Sequence, residues 1–294
     1  MDDAQFLQYY NEFDENSRLN GAVGQLEFVR SLELLLRYLP PPPARVLDVG
    51  GGTGPYSGSL GQLGYETHLV DPVAEHVETA KARAGIASAA LGDARNLDSP
   101  DQGADALLLM GPLYHLTDSA DRQLALREAW RVLKPGGFIA AAAISRFASW
   151  MDGLTRQFID DAKFREILTR DLESGEHRNT AGKIEYFTST HFHLPEELAG
   201  ELLRAGFVHT EVFAVEGVVA TSPALDRWWS NREMREFLLQ SLRRTERQPS
   251  ILGASPHLLA FGHKSPARGA WTLPVAPHET VDSATAFQQR AKSR

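Results

Sequence analysis

The sequence predicts an α/β protein with a doubly wound, mostly parallel sheet of seven strands, and three observations carry that prediction. Near-continuous apolar runs of strand length recur at 45–49, 66–70, 87–91, 104–110 and 137–144, as expected where both faces of a parallel strand are covered. Helical patterns at 56–63, 73–84 and 121–132 fall between these runs, and alternation of strand with helix builds βαβ units. A glycine-rich turn, VLDVGGGTG at 46–54, closes the first run, where small residues let a ligand approach the backbone.

The remaining elements follow in order. Residues 4–20 read as a short helix and turn. Leu26, Val29, Leu32, Leu36 and Leu39 form a helical stripe over 24–39, and the prolines at 40–43 end it. Residues 146–190 interrupt the alternation with two expected helices and an extended piece, and so long a connection either covers a site or is a structural flap. A helix at 194–205, a strand at 210–219, a helix at 225–244 and a strand at 257–263 complete the sheet. Residues 265–294 are polar and aperiodic, a loosely held tail. The expected division is therefore an N-terminal helical segment at 1–43, an α/β core at 44–145, a helical cap insertion at 146–190, the rest of the core at 191–264, and the tail. The chain shows no internal repeat.

Composition narrows the function. A chain of 294 residues with 43% hydrophobic content has a real core to bury, and its net charge of −8 argues against sequence-independent nucleic-acid binding, which needs a basic surface. With no cysteine, thiolate metal sites, disulfides and cysteine nucleophiles are excluded. The first thirty residues carry Asp2, Asp3, Glu12, Asp14 and Glu15 without an apolar core, so no signal peptide is expected. The apolar stretch at 138–144 is far too short to span a bilayer. The expectation is a soluble cytoplasmic protein with no membrane and no nucleic-acid partner.

The glycine turn fits neither of two common nucleotide loops. The dinucleotide fingerprint needs a third glycine where Pro55 stands, and a P-loop needs Gly-Lys-Ser/Thr, but the loop has no lysine. What it contains is Asp48-x-Gly50-x-Gly52-x-Gly54. The second strand ends in Leu69-Val70-Asp71-Pro72, the third unit in Leu91-Gly92-Asp93-Ala94-Arg95, and the fourth strand in Leu109-Met110-Gly111-Pro112-Leu113-Tyr114-His115. Arg131 to Gly137 then turns into the fifth strand. All these sit at successive strand ends, where open α/β sheets bind ligands.

Together these motifs resemble the class I S-adenosylmethionine (SAM) methyltransferases, strongly over 24–145 and by element order over 194–264. The resemblance implies a Rossmann-like methyltransferase fold and SAM as cofactor. It implies that Asp48, Gly50, Gly52 and Gly54 surround the donor, that Asp71, with Pro72 beside it, takes the ribose hydroxyls, and that Asp93 and Ala94 meet adenine. Tyr114 and His115, which follow the fourth strand, would lie near the sulfonium, and Met110 is a further expected donor contact. Tyr10 and Arg18 are candidates for the amino-acid end of SAM, whose carboxylate suits a cation.

Methyl transfer from a sulfonium needs alignment and exclusion of water more than a triad, so the catalytic candidates are few. A protonated acceptor still gains from a general base. His115 is one candidate, with packing against SAM as its first role. His191 and His193 share a face if their segment is extended; they are candidates for a base or a substrate contact, or are structural. Two ligands do not make a metal site, and none is expected. Arg146, Phe147, Trp150 and Met151, with Phe158, Phe164, Tyr186 and Phe187, either wall an apolar acceptor pocket or close the cap's own core; Trp228 and Trp229 share the ambiguity. The expected partner is a small, partly apolar acceptor with an oxygen, nitrogen or carbon nucleophile, with a homodimer left open. Competing readings are a modified-peptide methyltransferase, a non-catalytic SAM sensor or assembly protein, and a nicotinamide-dependent oxidoreductase.

Overall fold

The structure, a computed structural model, describes residues 21–266. Tyr10, Arg18, the short helix and turn expected at 4–20, and all but the first two residues of the tail expected at 265–294 lie outside them.

Helix α1 (Ala22–Tyr38) leads into strand β1 (Arg45–Val49). Then follow α2 (Pro55–Gln62), β2 (Glu66–Asp71), α3 (Ala74–Lys81), β3 (Ile86–Leu91) and β4 (Ala104–Leu109). The short α4 (Pro112–His115), α5 (Ser119–Val132) and β5 (Leu133–Ile144) complete the parallel half. The sheet has seven strands in the order β3-β2-β1-β4-β5-β9-β8, where β8 is Phe207–Ala214 and β9 is His257–Lys264. β9 runs antiparallel to both of its neighbours, while the pairs among β1 to β5 are parallel. Strand order reverses between β1 and β4, and a crevice opens at such a switch point above the carboxyl ends.

Helices cover both faces. Leu32 and Leu35 of α1 and Tyr56 and Leu60 of α2 pack on Val46, Leu108, Phe138 and Phe261. On the opposite face Leu126 and Ala129 of α5, with Leu198 and Leu202 of α8 (Pro195–Arg204), pack on Leu47, Leu107, Ile139 and Leu258. The two sets alternate along each strand, as the two-residue period requires.

Between β5 and α8 lie α6 (Ala148–Thr155), α7 (Ala162–Ser174) and two antiparallel two-residue strands, β6 (Glu176–His177) and β7 (Thr190–His191). Phe164, Ile167, Leu168 and Tyr186 form a core of their own here, with Phe158 against it. The expected helix at 225–244 is two helices, α9 (Leu225–Ser230) and α10 (Arg232–Thr245). Asn231 divides them because its side chain accepts the Met234 N–H at 3.0 Å and caps the second. Trp229 packs with Leu26 of α1 and Leu238 and Leu239 of α10, with Trp228 beside them, so the two tryptophans close a helical core. α11 (Pro249–Leu252) leads to β9.

Strand β8 lies earlier than the expected 210–219. Val215 makes the last in-register bond, to the His257 carbonyl at 3.2 Å, and Gly217, at φ 54°, then turns the chain away. β5 starts earlier than 137 because Leu133 pairs with Ala104 before an irregularity at Gly136, whose φ is 80°.

Candidate active site along the carboxyl edge of the sheet

The glycine turn is shaped by positions that a side chain would spoil. Gly50, Gly52 and Gly54 have φ of 70°, 57° and 80°, the left-handed region that costs other residues about 1–2 kcal/mol. A Cβ on Gly50 would meet the Pro112 ring at 2.6 Å, and one on Gly54 would meet Ile86 Cδ1 at 2.5 Å. Gly54 leads into α2, whose first residue, Pro55, needs no backbone N–H there. The result is a backbone cradle at a helix N-terminus.

Two carboxylates flank it. Asp48 is fully buried at the end of β1, and its Oδ2 accepts the Ser57 hydroxyl at 2.7 Å. Its Oδ1 has no hydrogen-bond partner. Burial, with the nearby charge of Asp71, pushes the Asp48 carboxyl up to about 6 against the Ser57 hydrogen bond. Asp71 at the end of β2 accepts the Gly52 N–H at 2.8 Å, the Val73 N–H at 2.9 Å and, through Oδ1, contacts His76 Nδ1 at 3.1 Å. It braces the loop from the neighbouring strand, and Pro72 beside it is exposed.

The other predicted residues fall along the same edge. Asp93 follows β3 and is gripped by Arg95, whose guanidinium also reaches Asp121 at 2.9 Å. That hydrogen bonding holds the Asp93 carboxyl below its usual range. Ala94 packs into the core below. Met110 follows β4, and Tyr114 donates to its carbonyl at 3.3 Å. His115 is buried beside Tyr114, with ring centroids 4.6 Å apart. Burial lowers it to about 3, so it is neutral at pH 7.

His191 and His193 do come together, at 4.5 Å between ring centroids, but in different settings. His193 is fully buried, and its Nε2 contacts Glu201 Oε2 at 3.3 Å, while Arg122 donates to Glu201 Oε1 at 2.8 Å. This trio ties the segment before α8 to α5 and α8. His191 is partly buried, and burial, then the charge of His193, lowers it to about 3.

At the β5–β8 end of the edge, Phe147, Trp150, Met151 and Leu154 face Val218 and Pro249 across a cavity of about 1020 Å³. Arg146 is not among its walls. Its guanidinium donates to the Phe192 carbonyl at 3.0 Å and to both Glu197 oxygens at 2.9 and 2.7 Å, fastening the cap to α8. Phe158, Phe164 and Tyr186 serve the cap's core, whereas Phe187 stands 6.0 Å from His115.

A profile of the methyltransferase domain family matches residues 47–141, the stretch that supplies the cradle and both carboxylates. The demethylmenaquinone methyltransferase of Deinococcus radiodurans is 31% identical over 175 residues, 56% of this chain and 68% of that protein. The chain belongs to the class I S-adenosylmethionine-dependent methyltransferase family. An uncharacterized methyltransferase of Mycobacterium tuberculosis is 36% identical over 99 residues, 34% of this chain, and the chain spans 39% of that relative's length. Among solved structures, a SAM-dependent methyltransferase of Thermotoga maritima, described as a possible histamine N-methyltransferase, superposes over 89% of this chain and 99% of its own, with TM-score 0.55 and 20% identity. That likeness shows the methyltransferase fold.

One group in this chain escaped the sequence reading. Glu27, Glu216 and His257 bring their carboxylate and imidazole atoms within 4.8 Å of one another. They come from α1, the turn after β8 and the first residue of β9, and no spacing along the chain connects them. The available signals were an acid just after a strand and a histidine opening another, which only the pairing of β8 with β9 brings together.

Proposed function

We propose that this protein is a methyltransferase that moves a methyl group from SAM to a small, partly apolar acceptor by in-line displacement. SAM supplies a methyl on a sulfonium, whose leaving group is a neutral thioether. The observation that carries the reading is a glycine cradle bordered by a buried carboxylate oxygen with no partner, Asp48 Oδ1, on the same sheet edge as an apolar cavity. A cationic ammonium at Asp48 satisfies that oxygen and offsets its burial. Asp71 has lone pairs to spare for a ribose diol, and Asp93, at the end of the next strand, suits an adenine amino group. Met110 and His115 supply apolar cover, and a neutral His115 does not repel a sulfonium.

The cavity is the reason for the acceptor's character. Trp150 and Leu154 are 44% and 49% exposed, and Val218 is 54% exposed. Such a cluster of accessible apolar side chains favours a ligand that covers it. The acceptor's nucleophile would then point back toward the tip of β4. Among the described residues no helix is long and apolar enough to cross a membrane.

Calorimetric titration with SAM and with NAD tests the donor. Saturable SAM binding with no NAD response is expected, and tight NAD binding alone would mark an oxidoreductase. Incubation with SAM and a metabolite extract should release S-adenosylhomocysteine. SAM binding without that release would mark a sensor.

A further inference from the structure

We infer that the apolar cavity takes a compound that carries a protonated amine on an apolar body, that Glu196 receives the ammonium, and that this is the class of the acceptor. The inference rests on the proposed methyl transfer and adds to it the charge of the molecule that is methylated.

The first argument is what ionises in the walls. Four stretches distant in sequence build the cavity: α6, the start of α8, the turn after β8, and α11 with the residues just after it. Glu196 is the one charged side chain they bring, and none of the lining residues is a lysine, an arginine or a histidine. The cations that border these stretches are turned elsewhere. Arg146, next to Phe147, bonds to Glu197 and to the Phe192 carbonyl. Arg156, next to Thr155, stands 4.4 Å over the Phe158 ring and 3.9 Å from Asp152. An anionic ligand entering this cavity loses water, gains no counter-charge and meets a like charge. A cationic ligand gains Glu196 and the accessible aromatic surface of Trp150 and Phe147.

The second argument is that the helix end does not need Glu196. It sits in the first turn of α8, where an acid often serves the macrodipole. Its neighbour already does so. Glu197 Oε2 accepts the Leu194 N–H at 3.0 Å, and both Glu197 oxygens hold Arg146. Glu196 is exposed, and among the described residues it has no cationic partner. The amino end of α8 alone would draw an anion, but Pro195 brings no N–H and Glu197 has taken the capping position. Other donors in the walls are occupied as well. The Thr155 and Thr221 hydroxyls donate to the Met151 and Val218 carbonyls at 2.8 and 2.9 Å, and Pro223 and Pro249 have no N–H to offer. The walls are therefore poor in groups that greet an anion and hold one that greets a cation.

The probes are three biphenyls that differ in charge: 4-phenylbenzylamine, 4-phenylbenzyl alcohol and biphenyl-4-carboxylate. A cavity of about 1020 Å³ has room for the shared rings. Each is titrated calorimetrically at pH 7.5 into the full-length protein saturated with S-adenosylhomocysteine. The amine should bind about tenfold tighter than the alcohol, the combined size of an exposed ion pair and a cation–π contact. The carboxylate should bind more weakly than either. Glu196→Gln should bring the amine to the alcohol's affinity and leave the alcohol unchanged. Glu196→Lys should reverse the order of amine and carboxylate, which a role in the helix end alone would not produce. Trp150→Ala should weaken all three, which assigns them to this cavity. Carboxylate binding as tight as the amine's, an amine preference that survives Glu196→Gln, or no binding of any probe to the loaded protein overturns the inference. Failure of S-adenosylhomocysteine itself to bind sinks the methyltransferase reading and the acceptor role with it; an amine preference that depends on Glu196 would even then support the cation subsite.

Discussion

The two halves of the carboxyl edge are built differently. Around β1 to β4 the shape comes from local chain geometry: three left-handed glycines, a proline at the start of a helix, and Asp71 bonded to a loop 19 residues away. Around β5, β9 and β8 it comes from side chains far apart in sequence. Arg122 meets Glu201 across 79 residues, Arg146 meets Glu197 across 51, and Arg30 meets Glu246 across 216. The difference separates two jobs. On the proposed function, the donor is held by a local motif and the acceptor by an assembly of residues distant in sequence.

Breaking the long-range side should therefore cost fold stability first. Arg30 is fully buried, donates to Glu33 at 2.8 Å and to Glu246, and contacts the Val215 carbonyl. Removing one partner of a buried pair costs about 3–5 kcal/mol. Arg37 remains bonded to both acids, so Arg30→Met should fall near the low end of that range in urea unfolding. Burial works to raise Glu33, but Arg30, Arg243 and Arg37 hold it down at about 2. Its contribution is present above its unfolded value near 4.5 and is lost as pH falls toward 2. Arg30→Met should flatten that acid limb, and an unchanged limb would show that Arg30 does not set it.

Breaking the local side should cost donor binding instead. Gly50→Val places a branched side chain at φ 70° against the Pro112 ring. We expect SAM affinity to fall about 100-fold or more, roughly 2.8 kcal/mol, in calorimetry. A near-normal affinity would mean that the cradle is not the donor site. Asp71→Ala removes the expected ribose acceptor, and hydrogen bonds to a charged group contribute ~1.5–3 kcal/mol each. Its effect should be a tenfold to 100-fold loss, ~1.4–2.8 kcal/mol. The variant also loses the bonds to Gly52 and Val73, so Asp71→Asn, which keeps an acceptor oxygen, should recover part of the affinity.

What the sequence made legible follows the same division. The fold class, the glycine loop and the acids at three strand ends could be read because each depends on neighbours within one βαβ unit. The split at Asn231 was missed because an apolar pattern crosses the break, while a single side-chain cap decides it. Phe147, Trp150 and Met151 could be nominated as pocket walls but not told apart from Phe158, Phe164 and Tyr186, which close the cap. Aromatic residues at helical spacing look alike whether they face a cavity or each other. Glu216 and His257 left no local trace, since only the antiparallel strand brings them together.

The smallest expected effect sharpens the comparison most, because Asp48 opposes function to stability within one side chain. Its folded carboxyl stands at about 6, above an unfolded value near 3.9. The folded state thus binds more protons between about pH 4 and pH 6, and stability falls as pH rises through that window. Above it the full cost remains, on the order of 3 kcal/mol. Asp48→Asn keeps an oxygen for Ser57 and carries no charge, so its stability should not show that decline. The amide N–H₂ standing where Oδ1 lacks a partner reduces the gain, which leaves the variant ~1 kcal/mol more stable than wild type at pH 7.5. The same variant should bind SAM more weakly, because the carboxylate matched to the ammonium is gone. Urea unfolding at pH 4.5 and 7.5, with calorimetry at pH 7.5, measures both. A variant that is less stable at pH 7.5 yet binds SAM as well as wild type would show that Asp48 shapes the loop and does not hold the donor.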